Sequence, residues 1–339
     1  MKKTIWINRL VDHLIWIVLT LTIVVVALTI DGFFQFNNLS NVLLHGTVLG
    51  LLSIAAAMAL IGGEMDLSLG VNMGFVGYLV AWISLGKGDV GSGWNLNPIL
   101  AGFIGVAVGV GIGWVNGSLV TRLKMNSFLV TLGTLIVLGG LTYVINQART
   151  LNGINPVLLV LGGEKSFGVP NSVILTAFAF GIAVVISRFT SGGRRLYAVG
   201  SNAVAARAAG IDPGAVKRRM FMVAGGVAGV AGLLIIGELG SAPANVGQGV
   251  IFEVFAATVI GGVSLTGGRG SYFDVLGGVL LLSMIANALN LTAIDPFWVE
   301  PIRGFIILFA VFLDSQRETL RMWLLKRATS STQSGSEAA

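Results

Sequence analysis

The chain has 339 residues, 55% hydrophobic and 11% charged, with a formal net charge of +6 and a mean hydropathy of +0.88. Soluble domains carry about 25% charged residues, so composition excludes a water-soluble globule and leaves a membrane-embedded chain. There is no cysteine and there are only two histidines, His13 and His45; disulfides, thiolate metal sites, paired-histidine zinc motifs and cysteine nucleophiles are excluded.

Ten apolar segments are predicted as helices, at roughly 14–31, 42–62, 67–86, 98–120, 127–146, 172–189, 219–238, 251–266, 273–292 and 300–313. Most approach the ~20 residues that a spanning helix needs. The expected fold is therefore all-α and polytopic, with about ten transmembrane helices in a single domain over 1–327. The first segment follows Lys2, Lys3 and Arg9, as a signal peptide would. It is long for such a segment and lacks a clear small-residue cleavage site, so a retained helix is the preferred reading.

Between the second and third segments the chain reads "GGEMDLSLG" (62–70). Gly62 and Gly63 interrupt the second helix, Asp66 is placed to cap the third, and Ser68 can satisfy another exposed amide. Glu64 has no capping role, and an acid near membrane depth is a functional suspect. Interrupted helices that line a cavity are where transporters place gates and substrate contacts. Gly62, Gly63, Glu64, Asp66, Ser68 and Asn72 are accordingly expected at a gate or hinge. In the fourth segment Gly105, Gly109, Gly113 and Gly117 recur at every fourth position, and Gly225 and Gly229 do so later; such stripes let helix backbones pack closely.

The longest loop, 188–219, is strongly basic. Within it Asn202 to Ala209 reads as a short helix, capped by Asn202, ended by Gly210 and kept from continuing by Pro213. A small-residue helix outside the bilayer has no core of its own and is expected to dock on another surface. Further on, Ile260, Gly261 and Gly262 echo Ile61, Gly62 and Gly63, which suggests a second break and a paired constriction. Intramembrane amides bridge helices or line a path. Asn116 is expected to bridge; Asn287 and Asn290, three apart on one helical face, are the choice for the path. Glu238, Glu253 and Glu300 are expected near outer interfaces. After the tenth segment a short surface helix bearing Leu320, Trp323 and Leu324 precedes a small, polar tail at 328–339, expected to be disordered.

Ten spans place both termini on one side. Of the 21 basic residues, only Lys87, Arg149, Lys165 and Arg303 then fall on the opposite side or its interface, and 17 fall with the termini. By the positive-inside rule that side is cytoplasmic. The basic residues so arranged do not point to nucleic acid.

Three stretches then carry a family resemblance. "GGEMDLSLG", "LYAVGSNAVAARAAGI" (196–211) and "ATVIGGVSLTGGRGS" (257–271) resemble, in order, the signature segments of ABC sugar importer permeases of the ribose, xylose and galactose class. "AARAAG" (205–210) resembles the coupling motif of such permeases, with Val204 where the family pattern has glutamate. The resemblance covers roughly 40–315. It implies coupling to an ATPase through Gly200, Asn202, Ala205, Ala206, Arg207, Gly210 and Ile211; the internal echo adds Gly261 and Gly262 to the expected gate. It also implies separate ABC ATPase subunits, a second copy or sister permease, and a periplasmic sugar-binding protein. The setting would be the bacterial inner membrane with its lipid, the cargo a monosaccharide or related polyol, and the chain itself would need no cofactor and catalyse no reaction.

A secondary carrier coupled to protons or sodium is the alternative, with Glu64 and Asp66 as its intramembrane acids; the docking loop speaks against it. A membrane-embedded hydrolase lacks any histidine-centred or metal-ligand constellation. The topology is directly testable: reporter fusions after residues 95, 160, 245 and 296 should all report an external location, and a cytoplasmic signal at two of them overturns the count.

Overall fold

A computed structural model describes residues 14–87 and 91–292, together with the isolated positions 297, 298, 301, 302, 304, 305, 308 and 312. Most of the tenth predicted segment, Glu300, Arg303, the surface helix, the polar tail and the basic N-terminal residues lie outside the described residues.

Twelve helices account for nearly all described secondary structure: α1 Leu14–Thr29, α2 Phe36–Ile61, α3 Leu69–Ser84, α4 Pro98–Arg122, α5 Ser127–Ile145, α6 Pro156–Gly162, α7 Asn171–Phe189, α8 Ser191–Ser201, α9 Ala203–Ala208, α10 Pro213–Leu239, α11 Val250–Ile260 and α12 Tyr272–Leu291. Four two-residue strands form two antiparallel pairs. β1 (Leu151–Asn152) pairs with β4 (Ser241–Ala242), and β2 (Lys165–Ser166) with β3 (Val169–Pro170). Among the described residues six helices, α2, α4, α5, α7, α10 and α12, are long and apolar enough to cross a membrane; α1, α3 and α11 are shorter apolar helices.

Helix starts follow local chemistry. Asn97, Asn155 and Asp212 each precede a proline at the first helical position, where a missing N–H costs nothing, and each side chain accepts from the backbone of the first turn. Asn126 does the same for α5. These caps matter more in a membrane than in water, because an unsatisfied helix end has no solvent to turn to.

The helices form an inner and an outer set. α2, α10 and α12 are largely buried in protein, whereas α4, α5 and α7 show most of their surface, which is apolar on the outside (Phe103, Val137, Phe178). The α10 helix is the hub: it packs along α4, α3, α2 and α6. Glycines set those distances. A Cβ at Gly109 would lie 2.6 Å from the carbonyl oxygen of Gly225, and one at Gly77 would lie 2.7 Å from that of Gly232. Gly162 meets α10 at Leu234 and Gly237 in the same way. The stripe Gly105–Gly117 is thus the seam of α4 against α3 and α10, with Gly117 facing Arg218 and Phe221.

Several boundaries differ from the sequence reading. The predicted helix 219–238 begins at Pro213, because Asp212 and Pro213 start a helix within the basic loop. The loop itself holds α8, whose apolar residues are masked by glycines and arginines. The predicted segment 251–266 ends at Ile260, only 11 residues long. The stretch ahead of it, 243–249, does not stay at the end of the bundle: Val246 and Gly247 press their backbones against Gly74 and Gly70 of α3.

The seam yields a paired test. Gly109→Ala pushes a methyl into the α10 backbone, whereas Gly111→Ala meets nothing within 4 Å. Gly109→Ala should lower the thermal unfolding temperature of the detergent-purified protein, in line with an overpacking cost of about 1–3 kcal/mol. Gly111→Ala should leave it unchanged or raise it, by up to about 1 kcal/mol of helix propensity.

Candidate coupling and gating site

The sequence around Ile61 ends a helix in a defined way. Gly63 adopts φ +76°, its N–H bonds to Leu60 O, and the Glu64 N–H reaches back to Ala59 O at 3.0 Å. This double closure needs a left-handed residue at Gly63, which glycine supplies without penalty. The echo at 260–262 has the same physical basis. Gly262 sits at φ +80° and bonds to Val259 O, and the Val263 N–H bonds to Thr258 O. Two inner helices, α2 and α11, therefore stop on the same motif.

The connection from Glu64 to Ser68 is held from three sides. Asp66 is 2% exposed; its carboxylate accepts from the Ser68 N–H at 2.9 Å and the Ser68 hydroxyl at 2.6 Å. Burial pushes its carboxyl up to about 6, although both bonds from Ser68 pull the other way. Neither expected cap acts on the first turn of α3: the Asp66 carboxylate bonds Ser68, which precedes the helix, and the Ser68 side chain satisfies no helix amide. Its hydroxyl is engaged by Asp66 and accepts from Asn116 Nδ2, whose Oδ1 takes a bond from Thr134. The backbone N–H groups of Met65 and Leu67 donate to Ser127 and Thr131 of α5. Asn72 reaches the Gly109 carbonyl of α4 at 3.5 Å. Asp66 thus anchors a chain of side chains that ties the connection to α4 and α5.

Glu64 has a partner that sequence reading did not supply. Its carboxylate forms an ion pair with Lys217 on the first turns of α10, and both side chains are mostly buried. The two residues are 153 positions apart; no local spacing announces them.

On the other side of the break lies α8. Thr190 caps it, and Gly193, Leu196 and Val199 face inward. Near its end Gly200 comes so close to Ile61 O that a Cβ there would run into that oxygen. The loop after α11 closes the cluster. Gly268 N donates to Ile61 O at 2.9 Å, Tyr197 Oη donates to Gly270 O at 2.8 Å, and Ser201 Oγ reaches Gly268 O at 3.4 Å. Burial pushes the Tyr197 phenol up despite nearby Arg188, which keeps it a donor. A Cβ on Gly267 would lie 3.0 Å from Gly63 Cα. The three stretches singled out in the sequence, dispersed over some 200 positions, thus meet in one backbone cluster.

From this cluster α9 projects. Asn202 caps it, accepting from Val204 N and Ala205 N at 3.0 Å each. Gly210 follows with its N–H bonded to Arg207 O, and the Ile211 N–H bonds to Ala206 O. Val204 is 81% exposed, and Ala205, Arg207 and Ala208 also face outward. Ala206 is 4% exposed. It turns toward its own chain, so any limit on its size comes from inside the protein, and the outward face belongs to its neighbours.

A family model described as "Branched-chain amino acid transport system / permease component" matches residues 38–311. The chain belongs to that permease family. The permease is 33% identical over 301 residues to the ribose import permease protein of Bacillus subtilis (strain 168), covering 88% of this chain and 91% of that one. It is 30% identical over 315 residues to the L-arabinose ABC transporter permease protein of Azospirillum brasilense, covering 93% and 90%. A probable ABC transporter permease protein of Escherichia coli (strain K12) is 34% identical over 296 residues, covering 87% and 86%. No solved structure matches the permease.

The remaining site residues separate. Asn287 is buried and accepts from Asn38 Nδ2 at 2.9 Å, and that amide also reaches Phe33 O. It ties α12 to the start of α2, so helix bridging accounts for it. Asn290 is exposed and lines a cavity with His45, Glu253 and Ser283. Gly261 lies against the α12 backbone, where a Cβ would come within 2.6 Å of Val275 Cα, and it serves packing as well as the helix stop.

Asp66 offers a clean contrast. Asp66→Asn retains an acceptor for Ser68 and should unfold only slightly earlier than wild type. Asp66→Leu leaves the buried Ser68 donors unmatched, at about 1–3 kcal/mol per group, and should markedly lower the unfolding temperature of the purified permease. Equal losses in the two variants would show that charge, not hydrogen bonding, dominates at Asp66.

Proposed function

We propose that the permease is the membrane-spanning subunit of an ATP-driven importer that carries a monosaccharide or related polyol across the bacterial inner membrane. In this reading it has ten spans and cytoplasmic termini, pairs with a second copy or a sister permease, docks ABC ATPase subunits, and receives cargo from a periplasmic sugar-binding protein. The names of its ribose and arabinose relatives support the cargo class.

The observation that carries the mechanism is the Gly200–Ile61–Gly268 cluster. The proposed ATPase-docking helix α9 continues directly from α8, and α8 rests on the end of α2 through backbone contact. A push on α9 therefore reaches the α2 and α11 helix stops with no flexible side chain between. Packed elements of this kind transmit small displacements, because close-packed interiors do not deform continuously. Glu64 and Lys217 link the same break to α10, so the hub helix moves with it. Gly62, Gly63, Glu64, Asp66, Gly261 and Gly262 form the inner gate in this reading. Gly200, Asn202, Ala205, Arg207, Gly210 and Ile211 shape the docking element, and Ala206 seats it.

Two measurements test the proposal. Uptake of labelled D-ribose or L-arabinose by cells expressing the complete transporter should stop on ATP depletion with the proton gradient held; continued uptake would favour a gradient-driven carrier. Ala205→Trp, on the outward face of α9, should leave membrane insertion and unfolding temperature intact while reducing co-purification of the ATPase subunit and abolishing uptake. Normal uptake by that variant would place docking elsewhere.

A further inference from the structure

The cavity at the start of α11 has no part in the coupling cluster. Its place follows from the backbone. α11 packs antiparallel on α12, with Gly278 against Ala257 O and Gly261 against Val275. Its 11 residues span about 16 Å, roughly half of a hydrocarbon core of about 30 Å. Its far end lies beside the helix stops, so its first turn lies near mid-depth. The descent of 243–249 along Gly74 and Gly70 brings the chain there. No side chain caps this first turn, and its N-cap is Gly249.

The cavity measures about 210 Å³ and is lined by His45 and Leu49 of α2, Glu253 of α11, and Leu282, Ser283 and Asn290 of α12. Ser283 is 3% exposed, and its Oγ is closed off from the cavity, lying against Gly46 of α2. His45 and Asn290 are exposed, and both lie many residues from the helix-stop ends of α2 and α12, so the cavity runs from the first turn of α11 toward the outer side. The walls thus join an amide, an imidazole and a carboxylate to leucine faces, which is what a sugar ring presents in reverse: hydroxyls at its rim and C–H groups on its faces. The volume falls below the roughly 300–1,000 Å³ of pockets for drug-sized ligands, which suits one ring and excludes an oligosaccharide.

We propose that this cavity is a transient binding station for a single neutral sugar or polyol ring within the translocation path, with Asn290, Glu253 and His45 as its hydrogen-bonding groups. This rests on the importer reading above and assigns that path a site in its outer half. It also replaces the expected interfacial place of Glu253 with a position on the first turn of a half-length helix.

The natural chain contains no cysteine, so one introduced thiol reports alone. Ala286→Cys, which lines the cavity without a hydrogen-bonding side chain, and the control Trp94→Cys, on an exposed loop, are to be labelled with a membrane-impermeant thiosulfonate. The label is applied to the reconstituted transporter without ATP, its other subunits made cysteine-free, with and without millimolar D-ribose, L-arabinose or D-xylose. A sugar that the transporter imports with ATP should slow labelling at Ala286→Cys and not at Trp94→Cys. Adding Asn290→Ala should raise the sugar concentration for half protection by roughly tenfold, the loss of about one hydrogen bond, whereas a packing defect would alter labelling with and without sugar alike. An imported sugar that fails to slow labelling at residue 286, or protection unaltered by Asn290→Ala, overturns the station while leaving the importer intact. Failure of ATP to drive import of any of the three sugars overturns the importer reading and the station with it.

Discussion

The architecture depends on backbones that touch backbones. In a membrane no hydrophobic drive separates helix from lipid, so association rests on close packing and on hydrogen bonds that lipid cannot provide. The permease meets this through α10, whose carbonyl-bearing surface lies directly against glycines of α3, α4 and α6. Once these contacts hold the hub, the inner helices can tolerate irregular segments: the break after Ile61, the descent at 243–249 and the short helix α11 are all enclosed by protein that supplies their missing partners.

The break after Ile61 shows how polar groups are managed under that constraint. Its amides are taken up by Ser127 and Thr131, its aspartate by Ser68, and its glutamate by Lys217. These partners come from α5, α10 and the connection itself, where Asn116 of α4 also bonds Ser68, so the segment is a junction where α4, α5, α8 and α10 all register on the end of α2. The second helix stop, at Gly262, joins through the 264–268 loop. A displacement at any of these elements is shared with the others.

Much of this was legible in the sequence because the signals were local. The four-residue glycine stripe marks a seam whatever its partner is. Asn202 and Gly210 bracket α9 by capping chemistry alone, and the repeated Ile-Gly-Gly marks two helices that stop alike. What was not legible was long-range or masked. Nothing near Glu64 names Lys217. Glycines and arginines hide the inward face of α8. The run 251–266 is apolar throughout, and hydropathy does not record that its first turn starts in the interior, since a buried half-helix and a full span have similar composition. Asn287 and Asn290 share a helical face, yet one is consumed by Asn38 and the other is left open, a difference set by the neighbouring helix.

The glycine seam of α4 and α10 has a consequence for how such a chain can vary. Where two side chains meet, an enlargement on one side can be relieved by trimming the other. At Gly109 the opposing group is the carbonyl of Gly225, a peptide atom present in every possible sequence. No second-site substitution can remove it, and only a shift of a whole helix can make room, which would also disturb the contacts of α10 with α2, α3 and α6. Variation at this seam is therefore not a matter of compensating pairs. It is a veto held by the main chain, and room for larger side chains is left to the outer surfaces of the same helices.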